Sequence, residues 1–194
     1  MPENLAILSW YALFVMGMSG RIRFFCEDET RIGLKTISGR KITAKGFKPK
    51  GRVQWQFKST YIYGIVEPKT GESFFYEFTH LNSSCFQVFL NLISEHFADS
   101  VLILQLDQAG CHRAKKLKIP SNIIFFFQPS HSPETNPIET VWQYLKRGLR
   151  FLLPKNLDEL RQFIDRRLQR MTQEIIYSIV SRKSILRALS VAGI

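Results

Sequence analysis

The sequence predicts an α/β protein built on one mixed sheet, an antiparallel meander followed by parallel strands, with helices flanking it. Three observations carry that expectation. Two β-branched and aromatic runs, Val53 to Val66 and Ser73 to Phe78, are separated only by the hairpin turn Glu67-Pro68-Lys69-Thr70-Gly71. Two almost wholly apolar runs, Val101 to Leu106 and Asn122 to Phe127, have the composition of strands covered on both faces. Other segments repeat their apolar residues at the 3.6-residue period of a helix. A meander followed by crossover connections gives a sheet of mixed direction.

Taken in order, the chain starts with an apolar run from Leu5 to Met18 inside an N-terminal segment, residues 1–20. The run is short for a membrane span and Glu3 replaces the basic flank of a signal peptide, so a buried or interface helix is expected. Arg21 to Cys26 reads as a strand entering an acidic turn, Glu27-Asp28-Glu29-Thr30, and Gly33 to Ile37 as a second short strand. Arg40 to Arg52, punctuated by Gly39, Gly46, Pro49 and Gly51, reads as an irregular basic loop. After the meander, Asn82-Ser83-Ser84 caps a helix whose positions Phe86, Phe89, Leu90, Ile93 and Phe97 share one face.

A basic stretch with Arg113, Lys115, Lys116 and Lys118 joins the two buried strands and is expected to hold a short helix. From Gln128 the chain runs extended through Pro129 and Pro133, then turns into a helix at Asn136 (N-cap) and Pro137 (first position). Glu139 falls three residues after the cap, where a capping-box residue would sit. Ile138, Val141, Trp142, Leu145 and Leu149 mark the buried face. The main domain is thus placed at residues 21–150, followed by a basic tail, residues 151–194, read as two helices, Leu157 to Arg170 and Thr172 to Leu189.

Composition narrows the function. With 45% hydrophobic and 13% aromatic residues the 194-residue chain is globular, not disordered. A net charge of +11 points to a polyanionic partner, and nucleic acid is the commonest. The charge is clustered: Arg31 to Lys58 holds nine Lys/Arg and no acid, and Lys146 to Arg187 holds eleven against four acids. Lys45, Lys48, Lys50, Arg52, Arg113, Lys115, Lys146 and Arg147 are the candidate phosphate contacts. Cys26, Cys85 and Cys111 show no paired spacing, which argues against a disulfide framework or a zinc site and fits a reducing cytoplasm. His80, His96, His112 and His131 form no ligand pattern and read as surface or core residues.

Asp28, Asp107 and Glu139 each sit at a strand end or in the first turn of a helix entered from a strand. Active groups of open α/β sheets collect at such places. Three carboxylates gathered there repel one another unless a cation holds them, and an all-oxygen set selects Mg²⁺ or Mn²⁺. A two-ion site of that kind performs phosphoryl transfer without a covalent nucleophile from the protein.

Three strings carry a resemblance: Cys26-Glu27-Asp28-Glu29-Thr30-Arg31-Ile32-Gly33-Leu34, Leu104-Gln105-Leu106-Asp107-Gln108-Ala109-Gly110-Cys111-His112, and Ser132-Pro133-Glu134-Thr135-Asn136-Pro137-Ile138-Glu139-Thr140-Val141-Trp142. They resemble the signature blocks of bacterial transposases of the insertion sequence 630 family, in the mariner superfamily. The resemblance implies a ribonuclease-H-like fold whose first and fourth strands are neighbours. It also implies a DDE triad, Asp28, Asp107 and Glu139, holding two Mg²⁺ or Mn²⁺ ions. The implied activity is metal-dependent cutting of double-stranded DNA at transposon ends, then strand transfer into target DNA by the freed 3′-hydroxyl, in at least a homodimer. Between Asp107 and Glu139 lie 31 residues, fewer than is usual, so a trimmed connection is expected. Full-length members carry a helix-turn-helix region for which there is no room before Arg21. End recognition is therefore expected of a separate helix-turn-helix polypeptide, in the bacterial cytoplasm on the nucleoid. The alternative is an inactive DNA-binding remnant of a decayed element.

Overall fold

The computed structural model describes residues 7, 20–40, 42–114, 116–129 and 136–194. The helix expected from Leu5 to Met18 lies outside them, Ile7 apart. Five strands, β1 (Arg21–Gly33), β2 (Ser59–Val66), β3 (Ser73–Phe78), β4 (Ser100–Leu106) and β5 (Ile123–Phe127), form one sheet in the order β3-β2-β1-β4-β5. β1 pairs antiparallel with β2, and β2 with β3; β1 pairs parallel with β4, and β4 with β5. This is the mixed sheet that the sequence predicts, with β1 at its centre and neighbouring the fourth strand.

Strand alternation sends two sets of side chains to two cores. On one face Phe25, Tyr63, Ile65, Leu102, Leu104 and Leu106 pack against Phe86, Phe89, Leu90 and Ile93 of α1 (Ser83–His96). Asn82 caps that helix as expected, its side chain accepting from the Cys85 amide at 2.9 Å. On the other face Phe24, Cys26, Ile62, Val66 and Ile103 meet α2 (Ile138–Gly148), α3 (Leu157–Gln169), α4 (Gln173–Val180) and α5 (Lys183–Val191). Each large apolar side chain so buried contributes about 1.5–3 kcal/mol. The basic tail therefore lends Leu160, Ile164, Ile176, Val180, Ile185 and Leu189 to the same core as the sheet.

Four local expectations change. The acidic stretch Glu27 to Thr30 is no turn; it continues β1, pairing with β2 from Cys26↔Val66 to Gly33↔Ser59. Gly33 to Ile37 is accordingly not a second strand, because Gly33 is the last residue of β1. β2 begins at Ser59, not Val53, and Val53, Trp55 and Phe57 are exposed, with no core for an alternating pattern to face. The connection from Asp107 to Asn122 holds no short helix among its described residues, only single turns closed by His112 N–H to Ala109 O and Leu117 N–H to Ala114 O.

The tail makes three helices instead of two. Ser181, at ψ 63°, breaks the run, so that Val180 and Ile185 both reach the core from helices with separate axes. The β2–β3 turn is fixed against α4 by Gly71, at φ +79°, where a Cβ would meet the Gln173 carbonyl oxygen at 2.3 Å.

Candidate active site

β1 outruns β4. Its parallel ladder with β4 ends at Cys26↔Gln105, while its ladder with β2 runs on to Gly33. Asp28 lies in this overhang, opposite Gly64 of β2. Continuing the β1–β4 register places Asp107, the residue after β4, level with Asp28. The β1–β4 ladder thus ends two residues before Asp28 on one strand and two before Asp107 on the other.

α2 supplies the third carboxylate. Asn136, expected to cap this helix through its side chain, is buried; its Oδ1 accepts from the Ile138 amide at 3.4 Å while its Nδ2–H donates to the Glu27 carbonyl oxygen at 2.8 Å, tying the helix start to β1. Pro137 occupies the cap position, with no side-chain cap bond. The helix then lays Trp142 over β2, and the indole Nε1–H donates to Asp28 Oδ2 at 3.0 Å. Gly64 makes room for this: a Cβ there would meet the Trp142 ring at 2.6 Å and Phe75 at 2.7 Å. A glycine inside a strand pattern often marks such a close approach, and that signal in the sequence points to this contact.

Asp28 and Glu139 consequently line one open groove of about 220 Å³ with Glu29, Thr30, Trp142, Gln143 and Lys146. Burial, then the charge of Glu29 and that of Glu139, push the Asp28 carboxyl up to about 7, and hydrogen bonds from the Glu29 backbone and the Trp142 indole only partly offset them. A cation between these groups would relieve that repulsion, and an all-carboxylate donor set fits Mg²⁺ or Mn²⁺.

Asp107 is outside the lining of this groove. Its Oδ1 accepts from the Ala109 amide at 2.8 Å and lies 2.8 Å from His112 Nδ1. His112 is buried, not an incidental core residue: its Nε2 is 3.2 Å from Glu29 Oε1 and 3.5 Å from Glu27 Oε2. Burial works against a charged ring, but hydrogen bonds to Cys111 and Glu29, with the charges of Glu27 and Glu29, outweigh it and raise the His112 pKa. Glu27 is itself fully buried, and burial followed by the charge of Glu29 drives its carboxyl well above the usual range. Below this floor Gln105 donates to Gln128 Oε1 at 3.0 Å.

The basic candidates divide. Lys45, Lys48, Lys50 and Arg52 are exposed on the segment joining β1 to β2. That segment is held at its base by Gln54 N–H to Thr36 Oγ1 at 2.8 Å and Gln54 Nε2–H to the Pro154 carbonyl at 2.9 Å. Arg113 and Arg147 are exposed, and Lys146 lines the carboxylate groove. Lys115 lies outside the described residues.

The DDE superfamily endonuclease family matches residues 23–161, which span all five strands and the helix bearing Glu139. This chain belongs to that family. The matched range contains the blocks around Asp28, Asp107 and Glu139. A Sinorhizobium fredii protein, the uncharacterized y4pE/y4sA, is 39% identical over 87 residues, which cover 44% of this chain and 64% of that protein. Among solved structures, the pre-cleavage Mos1 transpososome matches with a TM-score of 0.68 at 12% identity, covering 100% of this chain and 62% of the other. The mariner Mos1 paired end complex with Mg matches at 0.63 and 14% identity, and that with Mn at 0.62 and 12%. They cover 99% of this chain and 60% and 59% of theirs. The ribonuclease-H-like architecture is thus shared with a mariner transposase, and the chain spans about three fifths of the length of these relatives. Among the described residues, no helix is long and apolar enough to cross a membrane.

Proposed function

We propose that this chain is the catalytic domain of a transposase, cutting double-stranded DNA at transposon ends by metal-dependent phosphoryl transfer and joining the freed 3′-hydroxyl to target DNA. The observation that carries the reading is the groove in which Asp28 of β1 and Glu139 of α2 converge, with Asp107 level on the adjacent strand. Asp28, Asp107 and Glu139 are the groups that would hold two Mg²⁺ or Mn²⁺ ions. Such ions, when bound, activate an attacking water or hydroxyl and stabilise the leaving oxygen of the phosphate. The chain's own contribution is placement. Trp142 fixes Asp28 and shields one side of the groove, while Asn136 sets the height of Glu139 against β1.

The Mos1 structures with Mn and with Mg, and those on transposon ends, support the same reading. Lys146 at the groove rim, with Arg147 and Arg113, suits the phosphates next to the cut bond, and Lys45, Lys48, Lys50 and Arg52 suit flanking DNA. Paired cutting of two ends calls for a homodimer. A cytoplasmic location on the nucleoid follows from that substrate.

The deciding experiment is nicking of a supercoiled plasmid with Mg²⁺ or Mn²⁺, with metal chelated, and with Asp107→Asn. Metal-dependent nicking lost in the variant is expected. DNA binding without nicking in any metal would overturn the enzymatic reading in favour of a DNA-binding remnant. Replacing Lys45, Lys48, Lys50 and Arg52 together should weaken DNA binding and make its salt dependence shallower by about three to four, since each phosphate neutralised adds roughly 0.9 to the slope. An unchanged slope would remove this segment from the DNA path.

A further inference from the structure

Asp107 is the least anchored of the three carboxylates. It follows the last residue of β4, beyond the final β1–β4 rung, and its side chain is 45% exposed. Asp28 has strand pairing on β2 and an indole bond, and Glu139 has a helix pinned to β1. What reaches Asp107 from elsewhere in the fold is His112, five residues on, whose ring lies 4.5 Å from that of buried Phe86 in α1. Its two nitrogens face opposite ways, Nδ1 to Asp107 and Nε2 to Glu29 of β1. The ring thus stands within hydrogen-bond reach of a carboxylate at each nitrogen, which makes one rigid strut.

We propose that His112 is the positioning residue of Asp107, a buried strut that bridges Asp107 to Glu29 and so holds the second carboxylate level with Asp28. The inference rests on the reading of Asp28, Asp107 and Glu139 as metal ligands. A ligating carboxylate is oriented by the groups that hydrogen-bond it, and losing such a partner typically lowers metal affinity about 10- to 100-fold. Glu29 is one residue from Asp28 along β1, so both carboxylates are referred to the same strand.

The choice of variants separates positioning from general support. An asparagine amide can place a donor where His112 Nδ1 stands, and a glutamine amide where Nε2 stands. Mn²⁺ binding to the purified full chain, followed by electron paramagnetic resonance, should therefore weaken about 10- to 100-fold in His112→Gln. It should be largely retained in His112→Asn, which keeps the bond to Asp107. Metal-free melting temperatures report the structural cost of each variant separately. Adding His112→Gln to Asp107→Asn should weaken Mn²⁺ no further than Asp107→Asn alone.

Equal Mn²⁺ affinity in His112→Gln and wild type would overturn the proposal while leaving the three-carboxylate reading intact. So would equal losses in His112→Asn and His112→Gln that track their melting temperatures. If Asp28→Asn and Glu139→Gln leave Mn²⁺ binding unchanged, the metal-ligand reading itself falls, and this proposal with it. Loss of the bound ion in Cys111→Ser alone would overturn the strut and assign the ion to Glu29, Cys111 and His112, whose donor atoms lie within 4.8 Å of one another.

Discussion

On one side of β1, Asp28 faces Glu139 across an open groove; on the other, Glu27 is buried beside His112, whose ring lies against Phe86 of α1, and Glu29 both lines the groove and reaches His112. Three consecutive acids thus live in opposite conditions. Asp28 has donors in the Trp142 indole and the Glu29 backbone, and like charges nearby that raise its pKa. Glu27 has both carboxylate oxygens buried without a hydrogen-bond partner among the described residues, a state that favours the neutral acid. The difference teaches that charge count along a strand says little. The face each residue takes decides whether a carboxylate opens onto a groove or is absorbed into the fold.

The comparison is broken most severely at Trp142. Trp142→Ala should cost about 3–5 kcal/mol of stability by emptying the space over Gly64 and Phe75, and it removes the donor on Asp28. Urea unfolding with an unchanged m-value checks the first effect. A loss under about 1 kcal/mol would show that the indole is not packed as described.

Gly64→Ala is a milder insult to the same place. The added methyl group would sit 2.6 Å from the Trp142 ring, and overpacking of that kind costs about 1–3 kcal/mol. Because the indole must move, Trp fluorescence should shift as well. An unaltered spectrum and stability would mean that β2 yields instead of Trp142.

Smallest, but most specific to the open face, is the pH response of Asp28 in metal-free protein. Its folded pKa, about 7, lies above the unfolded value near 4, so the folded state holds the proton more tightly. That contribution to stability is full below about pH 4 and is lost as pH rises through about 7. Asp28→Asn should remove this component, so that the urea midpoints of wild type and variant diverge between about pH 5 and pH 8. Parallel midpoints across that range would place Asp28 in a more solvated setting.

The sequence by itself determined the mixed character of the sheet, because that follows from local pattern, and named Asp28, Asp107 and Glu139 as candidates through contiguous motifs. Asn82 as a cap and the buried face of α2 were equally legible, since capping and 3.6-residue periodicity act within a few residues. Only the tertiary structure decided that Glu27 to Thr30 is strand, because its partner is β2, more than thirty residues on. Nor could local pattern show that Trp142 holds Asp28 across 114 residues, or that His112 meets Glu29 across 83. Hydrogen bonds between distant side chains leave no period in the chain; they exist only once the sheet has set two strands side by side and α2 has been packed onto them.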